Sequence, residues 1–258
     1  IADLETAAGT GAWREISPAL YETLTLAQEV ARRSHGAFDV TAGALTELWE
    51  RARVEKLPPS PEEVAEARAR VGYAFLELNT VEENGQKRYQ ARLLRTGMKI
   101  DRGALIKGLA LDGIARSWAA GGAVNALADL GSSSILACGV NAEGEPWRIG
   151  IRNPRGESRS DLAATVQLSD AMLSASGDDE RYFLYEGRRY HHLVDPRTGD
   201  PAETGLASVT VILPQDAMTG TMWAGHEGQL SDMLSTAIFV MGAERGRSLL
   251  TDIPGAQL

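Results

Sequence analysis

Three stretches of this chain carry side chains whose types and spacing could do chemistry. The first is residues 174–199, SASGDDERYFLYEGRRYHHLVDPRTG, with Ser176, Gly177 and Asp178 at one end and His192, Asp195 and Arg197 at the other. Groups of this kind contact a phosphate or a metal, and residues 181–193 read as two short strands around Glu186-Gly187, so a hairpin would bring the ends together. A surface hairpin with a polar rim would read the same from this segment alone. The second stretch is Gly103-Ala104-Leu105-Ile106-Lys107-Gly108, small residues at a strand-to-helix turn. Such a turn lets a ligand approach the backbone, and the helix start offers free N–H groups and a positive dipole end to an anion. Lys107 adds a charge there, although the full phosphate-loop pattern is missing. The third stretch is residues 231–237, where Asp232 and Thr236 stand four apart on one helix face. A carboxylate and a hydroxyl so placed suit a hard cation such as Mg²⁺. An acidic residue favoured by the helix dipole, with an incidental threonine, would look the same.

Those residues need a folded frame, and the composition allows one. At 258 residues with 43% hydrophobic side chains, the chain can bury a sizeable core as one domain or two joined lobes. A net charge of −9 without a basic cluster argues against nucleic-acid binding. The apolar runs fall short of the roughly 18 residues a membrane span needs. The single Cys138 says nothing about compartment. No signal peptide or lipidation site is visible, and a first residue of Ile1 leads us to expect a preceding segment.

The frame itself divides into a helical part over about 1–72 and a β-rich part over about 73–258. Ser17-Pro18 opens a helix that ends at Ser34-His35-Gly36, and a short helical patch covers 45–49. Phe38 and Trp49 read as core aromatics, with Asp39 and Thr41 as helix caps or ligand contacts. Ser60-Pro61 opens the charged helix 62–70, and Asn84-Gly85 marks a hairpin between 73–78 and 87–94. Lys99-Ile100-Asp101 reads as a strand end, and the helix behind it runs through Trp118. Strands follow at 123–130, 135–140, 147–151, 162–168, 171–175 and 207–213. Residues 219–228 read as a loop, 231–242 as a helix and 244–250 as another.

The signals occur in the order of a known family. The blocks GAFDVTAGALTELW (36–49), KIDRGALIKGLALD (99–112), ADLGSSSILACG (128–139), WRIGIRNP (147–154), LSASGDDERYF (173–183), HHLVDPRTG (191–199) and SDMLSTAIFVMG (231–242) resemble the ApbE family, the FAD:protein FMN transferases. The resemblance implies an α+β fold with a strand-rich core and helices outside. It implies transfer of FMN from FAD to a threonine or serine hydroxyl of a target protein, with Mg²⁺ at the pyrophosphate and AMP released. FAD hydrolysis to FMN and AMP, or flavin binding without turnover, are the other readings. On this chain, Asp232, Thr236 and the backbone carbonyl of Ala104 would hold Mg²⁺, and Lys107 would neutralise phosphate or order its turn. His192 would take the acceptor proton or orient the phosphate. Ser176 and Gly177 would approach the phosphates or flavin, Asp178 and Arg181 would order that loop, and Asp39 and Thr41 would lie near the flavin. Asp195 and Arg197 would brace their turn, with Arg197 also a candidate contact to FAD, and His191 would be structural. The resemblance also implies a cell-envelope or periplasmic location, with membrane attachment through a lipid anchor ahead of Ile1.

Four departures from the family pattern stand out. A leading segment with a Met-Gly-Thr strand and a last C-terminal strand are expected and have no counterpart. Arg102 stands where leucine is common, and Ser132-Ser133 replace a usual Gly-Gly. Residues 220–230 look inserted ahead of Asp232, as a lid or a displacement of the metal helix. Asp216-Ala-Met-Thr219-Gly220 partly resembles an acceptor pattern, which makes Thr219 a candidate for self-modification.

Overall fold

The structure is a computed structural model that describes residues 1–158 and 160–258. It is an α+β fold in two compact units, residues 1–103 with 181–202 and residues 104–180 with 203–258. This division cuts across the boundary expected near residue 72, because the hairpin that follows pairs back onto the N-terminal segment.

In the first unit, α1 (Ala2–Thr6), α2 (Pro18–Arg33), α3 (Gly43–Glu55) and α4 (Pro61–Arg68) accompany β1 (Arg14–Ile16), β2 (Leu76–Glu83) and β3 (Gln86–Leu93). The sheet order is β1-β3-β2, antiparallel throughout. Local chemistry sets the helix starts. Ser17 accepts from the Leu20 N–H with Pro18 beside it, and Ser60 and Glu63 form a reciprocal capping box. Asn84 and Gly85 both take left-handed backbone conformations, which closes the β2–β3 turn in two residues. Residues 73–75 form a 3₁₀ turn ahead of β2, and Lys99 makes only an isolated bridge to Ala42 where a strand end was expected.

The hairpin β9 (Tyr182–Tyr185) and β10 (Arg188–His191) belongs to this unit and turns at Glu186-Gly187 as expected. Tyr190 stacks between Trp49 and Phe183, with ring centroids 5.7 Å and 5.2 Å away. The Trp49 indole N–H donates to the Gly199 carbonyl at 2.7 Å, fixing the segment after the hairpin to α3. Phe38 and Trp49 are both core residues.

The second unit is built on a four-stranded antiparallel sheet of order β11-β8-β5-β4: β4 (Ala126–Asp129), β5 (Ser134–Cys138), β8 (Ala171–Gly177) and β11 (Ser208–Pro214). Strand alternation gives β8 two different faces. Ala171 and Leu173 pack with Ile135 and Ile149 toward the ribbon of β6 (Trp147–Arg152) and β7 (Leu162–Leu168). Met172 packs with Leu136 and with Leu111 of α5 (Gly103–Gly121), while Ser174 and Ser176 meet α6 (Glu227–Met241). Both faces are therefore covered, and α6 is buried almost around its whole circumference. A short α7 (Ala243–Gly246) ends in a 3₁₀ turn where one longer helix was expected. No described helix is long and apolar enough to cross a membrane.

Helix α6 begins four residues earlier than its sequence pattern indicated. Its cap comes from α5: the Asp112 carboxylate accepts from the Gly228 N–H at 2.7 Å and the Gln229 N–H at 3.3 Å. Residues 227–230 of the apparent insertion are thus the first turn of α6. The helices cross in close contact because both contribute glycine there. A Cβ on Gly108 would lie 2.5 Å from the Gln229 Cα, and one on Gly228 would lie 2.8 Å from the Leu111 Cβ. Gly108→Ala is expected to cost about 1–3 kcal/mol by forcing backbone apart at this crossing. Urea unfolding measures the loss, and a stability equal to the wild type would contradict the packing described.

Candidate functional site

Asp232 lies on the second turn of α6, buried at 6% exposure. Its Oδ1 is 3.9 Å from the Lys107 Nζ, and its Oδ2 has no hydrogen-bond partner among the described residues. Burial raises the Asp232 pKa, opposed by the Lys107 charge and a backbone hydrogen bond from Gly108. Lys107 is held in turn by donation to the Ser133 Oγ at 2.8 Å, in the loop before β5. Ser132 adopts a φ of 62°, a left-handed conformation that explains why glycine is usual at that position.

One turn along α6, Thr236 brings its hydroxyl onto the same face. The Thr236 Oγ1 lies 3.1 Å from the Ser176 Oγ, which lies 2.8 Å from the Ser235 Oγ. Lys107, Asp232, Thr236 and Ser176 are thus brought together, with Ala104 in the first turn of the same α5 that carries Lys107. A cleft of about 190 Å³ opens beside Ser133, lined by Ile135, Ile149, Leu173, Gly177 and Arg152 among others. Asp178 makes a two-pronged ion pair with Arg155, both contacts at 2.6 Å, so its carboxylate orders the loop. Arg152 pairs with Asp179 at 2.8 Å.

Among the described residues there is no group of three His, Cys, Asp or Glu placed to hold a metal. That excludes a carboxylate-rich or histidine-rich cage there, and leaves a single carboxylate with hydroxyl and carbonyl oxygens. A buried carboxylate oxygen without a partner carries a desolvation cost that an ion would relieve. The donor set is all oxygen, few in number and hard, which fits Mg²⁺ with retained waters.

The remaining predicted residues belong to the first unit. The Asp39 carboxylate accepts from the Thr41 N–H and Oγ1 at 2.8 Å and 2.7 Å and from the Tyr73 N–H at 2.7 Å. The Thr41 Oγ1 accepts from the Gly72 N–H at 2.8 Å. These oxygens tie the loop before α3 to the turn before β2. Arg197 makes a two-pronged pair with Asp195 at 2.8 Å and 2.7 Å, the bracing role expected of both. His191 is buried, its Nδ1 accepting from the Leu193 N–H, which leaves Nε2 to donate to the Ala202 carbonyl at 3.1 Å. His192 is half-buried, with its backbone N–H on the Arg181 carbonyl. Its ring lies close enough to Glu50 to help Arg53 and Arg181 lower that carboxyl's pKa, the Arg53 hydrogen bond being the largest cause.

Residues the sequence reading missed are Ser133, Ser235 and Asp112. The paired serines at 174 and 176 and at 231 and 235 were the available signal, spaced for a strand and a helix respectively.

Burial raises the Asp112 pKa to about 6, against hydrogen bonds from Gln229 and Gly228 that favour the ionised form. The folded state therefore holds this proton more tightly than the unfolded chain. Stability is expected to fall as pH rises from about 4 to about 6, by up to about 3 kcal/mol, and to level off above. Asp112→Asn should flatten that part of the profile in urea unfolding at stepped pH. An unchanged slope would contradict the assignment.

The comparisons with known proteins converge. The model of the ApbE family matches residues 1–257. An FAD:protein FMN transferase of Treponema pallidum is 33% identical over 248 residues, covering 93% of this chain and 64% of that protein. One from Haemophilus influenzae is 33% identical over 234 residues, covering 90% and 62%. The chain thus spans less than two thirds of the length of these relatives. The crystal structure of an ApbE protein from Thermotoga maritima superposes with a TM-score of 0.74 at 33% identity, covering 97% of this chain and 74% of that one. That of the Pseudomonas stutzeri flavinyl transferase ApbE gives 0.71 at 29%, covering 94% and 68%.

Proposed function

Because this chain belongs to the ApbE family, we propose that it transfers FMN from FAD to a threonine or serine hydroxyl of a target protein, with Mg²⁺ required and AMP released. The observation that carries this reading is the buried Asp232 carboxylate, one oxygen beside Lys107 and the other without a hydrogen-bond partner among the described residues, with the Thr236 hydroxyl on the same helix face. The similarity to the FAD:protein FMN transferases of Treponema pallidum and Haemophilus influenzae supports it.

Asp232, Thr236 and the Ala104 carbonyl would hold the cation. When bound, it polarises the pyrophosphate oxygens and offsets charge on the leaving group. The chain's own residues do the rest. Lys107 places a positive charge beside Asp232, and its bond to Ser133 fixes that charge in direction. The acceptor oxygen forms a bond to the FMN phosphorus as the phosphorus–oxygen bond to AMP breaks, and AMP leaves with the bridging oxygen. His192 takes the acceptor's proton in this proposal, in its neutral form.

The test is incubation of the protein with FAD, Mg²⁺ and a threonine-bearing acceptor peptide, followed by mass spectrometry of peptide and protein. The expected result is a peptide heavier by FMN, with AMP in equal amount. Asp232→Asn is expected to lower the rate by roughly 100-fold at fixed Mg²⁺. Free FMN with an unmodified peptide would instead identify a hydrolase, bound FAD with neither product a flavin-binding protein, and FMN on the protein itself modification at a site such as Thr219.

A further inference from the structure

We propose that Ser176 is a positioning residue that turns the Thr236 hydroxyl so that its lone pairs, and not its proton, face a cation. The proposal rests on the reading of Asp232 and Thr236 as a Mg²⁺ site and adds a residue that acts through one of its ligands.

A hydroxyl has one proton to donate and two lone pairs. The Ser235 Oγ lies 2.9 Å from the Asp232 carbonyl, which can only accept, so the Ser235 proton is spent there. At the 2.8 Å contact between Ser235 and Ser176, Ser176 must then be the donor. With that proton committed, the 3.1 Å contact between Ser176 and Thr236 runs from Thr236 to Ser176. The other acceptor within reach of Thr236 is the Asp232 carbonyl at 3.4 Å, which also draws the proton inward. The chain is polarised from Thr236 through Ser176 and Ser235 to a backbone carbonyl. It leaves the Thr236 lone pairs on the side away from β8.

The geometry of the two elements makes this arrangement possible. Two residues of strand advance about 6.7 Å and four residues of helix about 6 Å, so serines at those spacings meet in register. The Ser174–Ser231 pair, 2.9 Å apart, repeats the contact one turn earlier, with Ser231 donating to the Gly228 carbonyl at 3.0 Å. That pair is as deeply buried and does not touch Thr236, which makes it a control for the structural cost of losing a hydroxyl.

The experiment is a Mn²⁺ titration followed by electron paramagnetic resonance, with Mn²⁺ standing in for Mg²⁺. Ser176→Ala is expected to weaken Mn²⁺ binding about tenfold, and Ser174→Ala to leave it unchanged. Ser235→Ala should weaken it to a similar degree, since the Ser176 proton is then free to turn toward Thr236; this variant decides the matter if Ser176→Ala does not fold. Adding Ser176→Ala to Thr236→Val should have no further effect, because the ligand it orients is gone. Binding by Ser176→Ala equal to the wild type, or an equal loss in Ser174→Ala, would overturn this proposal alone. Wild-type binding that Asp232→Asn does not diminish would overturn the metal site, and this proposal with it.

Discussion

A carboxylate taken out of water must find hydrogen bonds or opposite charge, and in the second unit Asp232 finds only part of what it needs. Lys107 sits 3.9 Å from one oxygen while the other has no partner among the described residues. Desolvation is the largest influence on this group. A site that keeps an incompletely satisfied charge must be held by packing strong enough to prevent its collapse or exposure. The surrounding elements supply that packing from two sides.

On one side, α5 meets α6 at Gly108 and Gly228, and Asp112 caps the first turn of α6 from across the crossing. The same helix carries Lys107, so the crossing that positions the backbone also sets the distance between the two charges. On the other side, β8 presents Ser174 and Ser176 to α6, small enough for close approach and polar enough to bond its hydroxyls. Behind β8, the Ile135, Ile149 and Leu173 cluster supports the sheet and forms one wall of the neighbouring cleft. Asp232, Thr236, Lys107 and the cleft are therefore features of one packed unit.

How much of this was legible in the sequence depended on how local each cause is. The starts of α2 and α4 were readable because Ser17 and Ser60 cap their own helices, and the two hairpin turns because Asn84-Gly85 and Glu186-Gly187 act in place. The start of α6 was not readable, since its cap, Asp112, lies on another helix. Asp232 and Thr236 were singled out by helical spacing and Lys107 by its turn, and the fold brings the three together. Ser176 is a candidate contact to the phosphates or flavin by type and position, but that its hydroxyl faces Ser235 and Thr236 depends on the register of a strand against a helix. Asp39 and Thr41 show the opposite lesson: their type suggested ligand or cap, and bonds to the backbone at Gly72 and Tyr73 occupy them. A sequence shows which groups are available, but tertiary contacts decide which of them remain free.

The central claim is that the Asp232–Thr236 turn of α6 is a cation site, and a crystal of the protein grown with FAD and Mn²⁺ tests it most directly. The account predicts an anomalous-scattering peak within coordination distance of the Asp232 carboxylate and the Thr236 Oγ1, with the Ala104 carbonyl, the FAD pyrophosphate and water as the other oxygen donors. A pyrophosphate-bound Mn²⁺ that touches neither residue would contradict it.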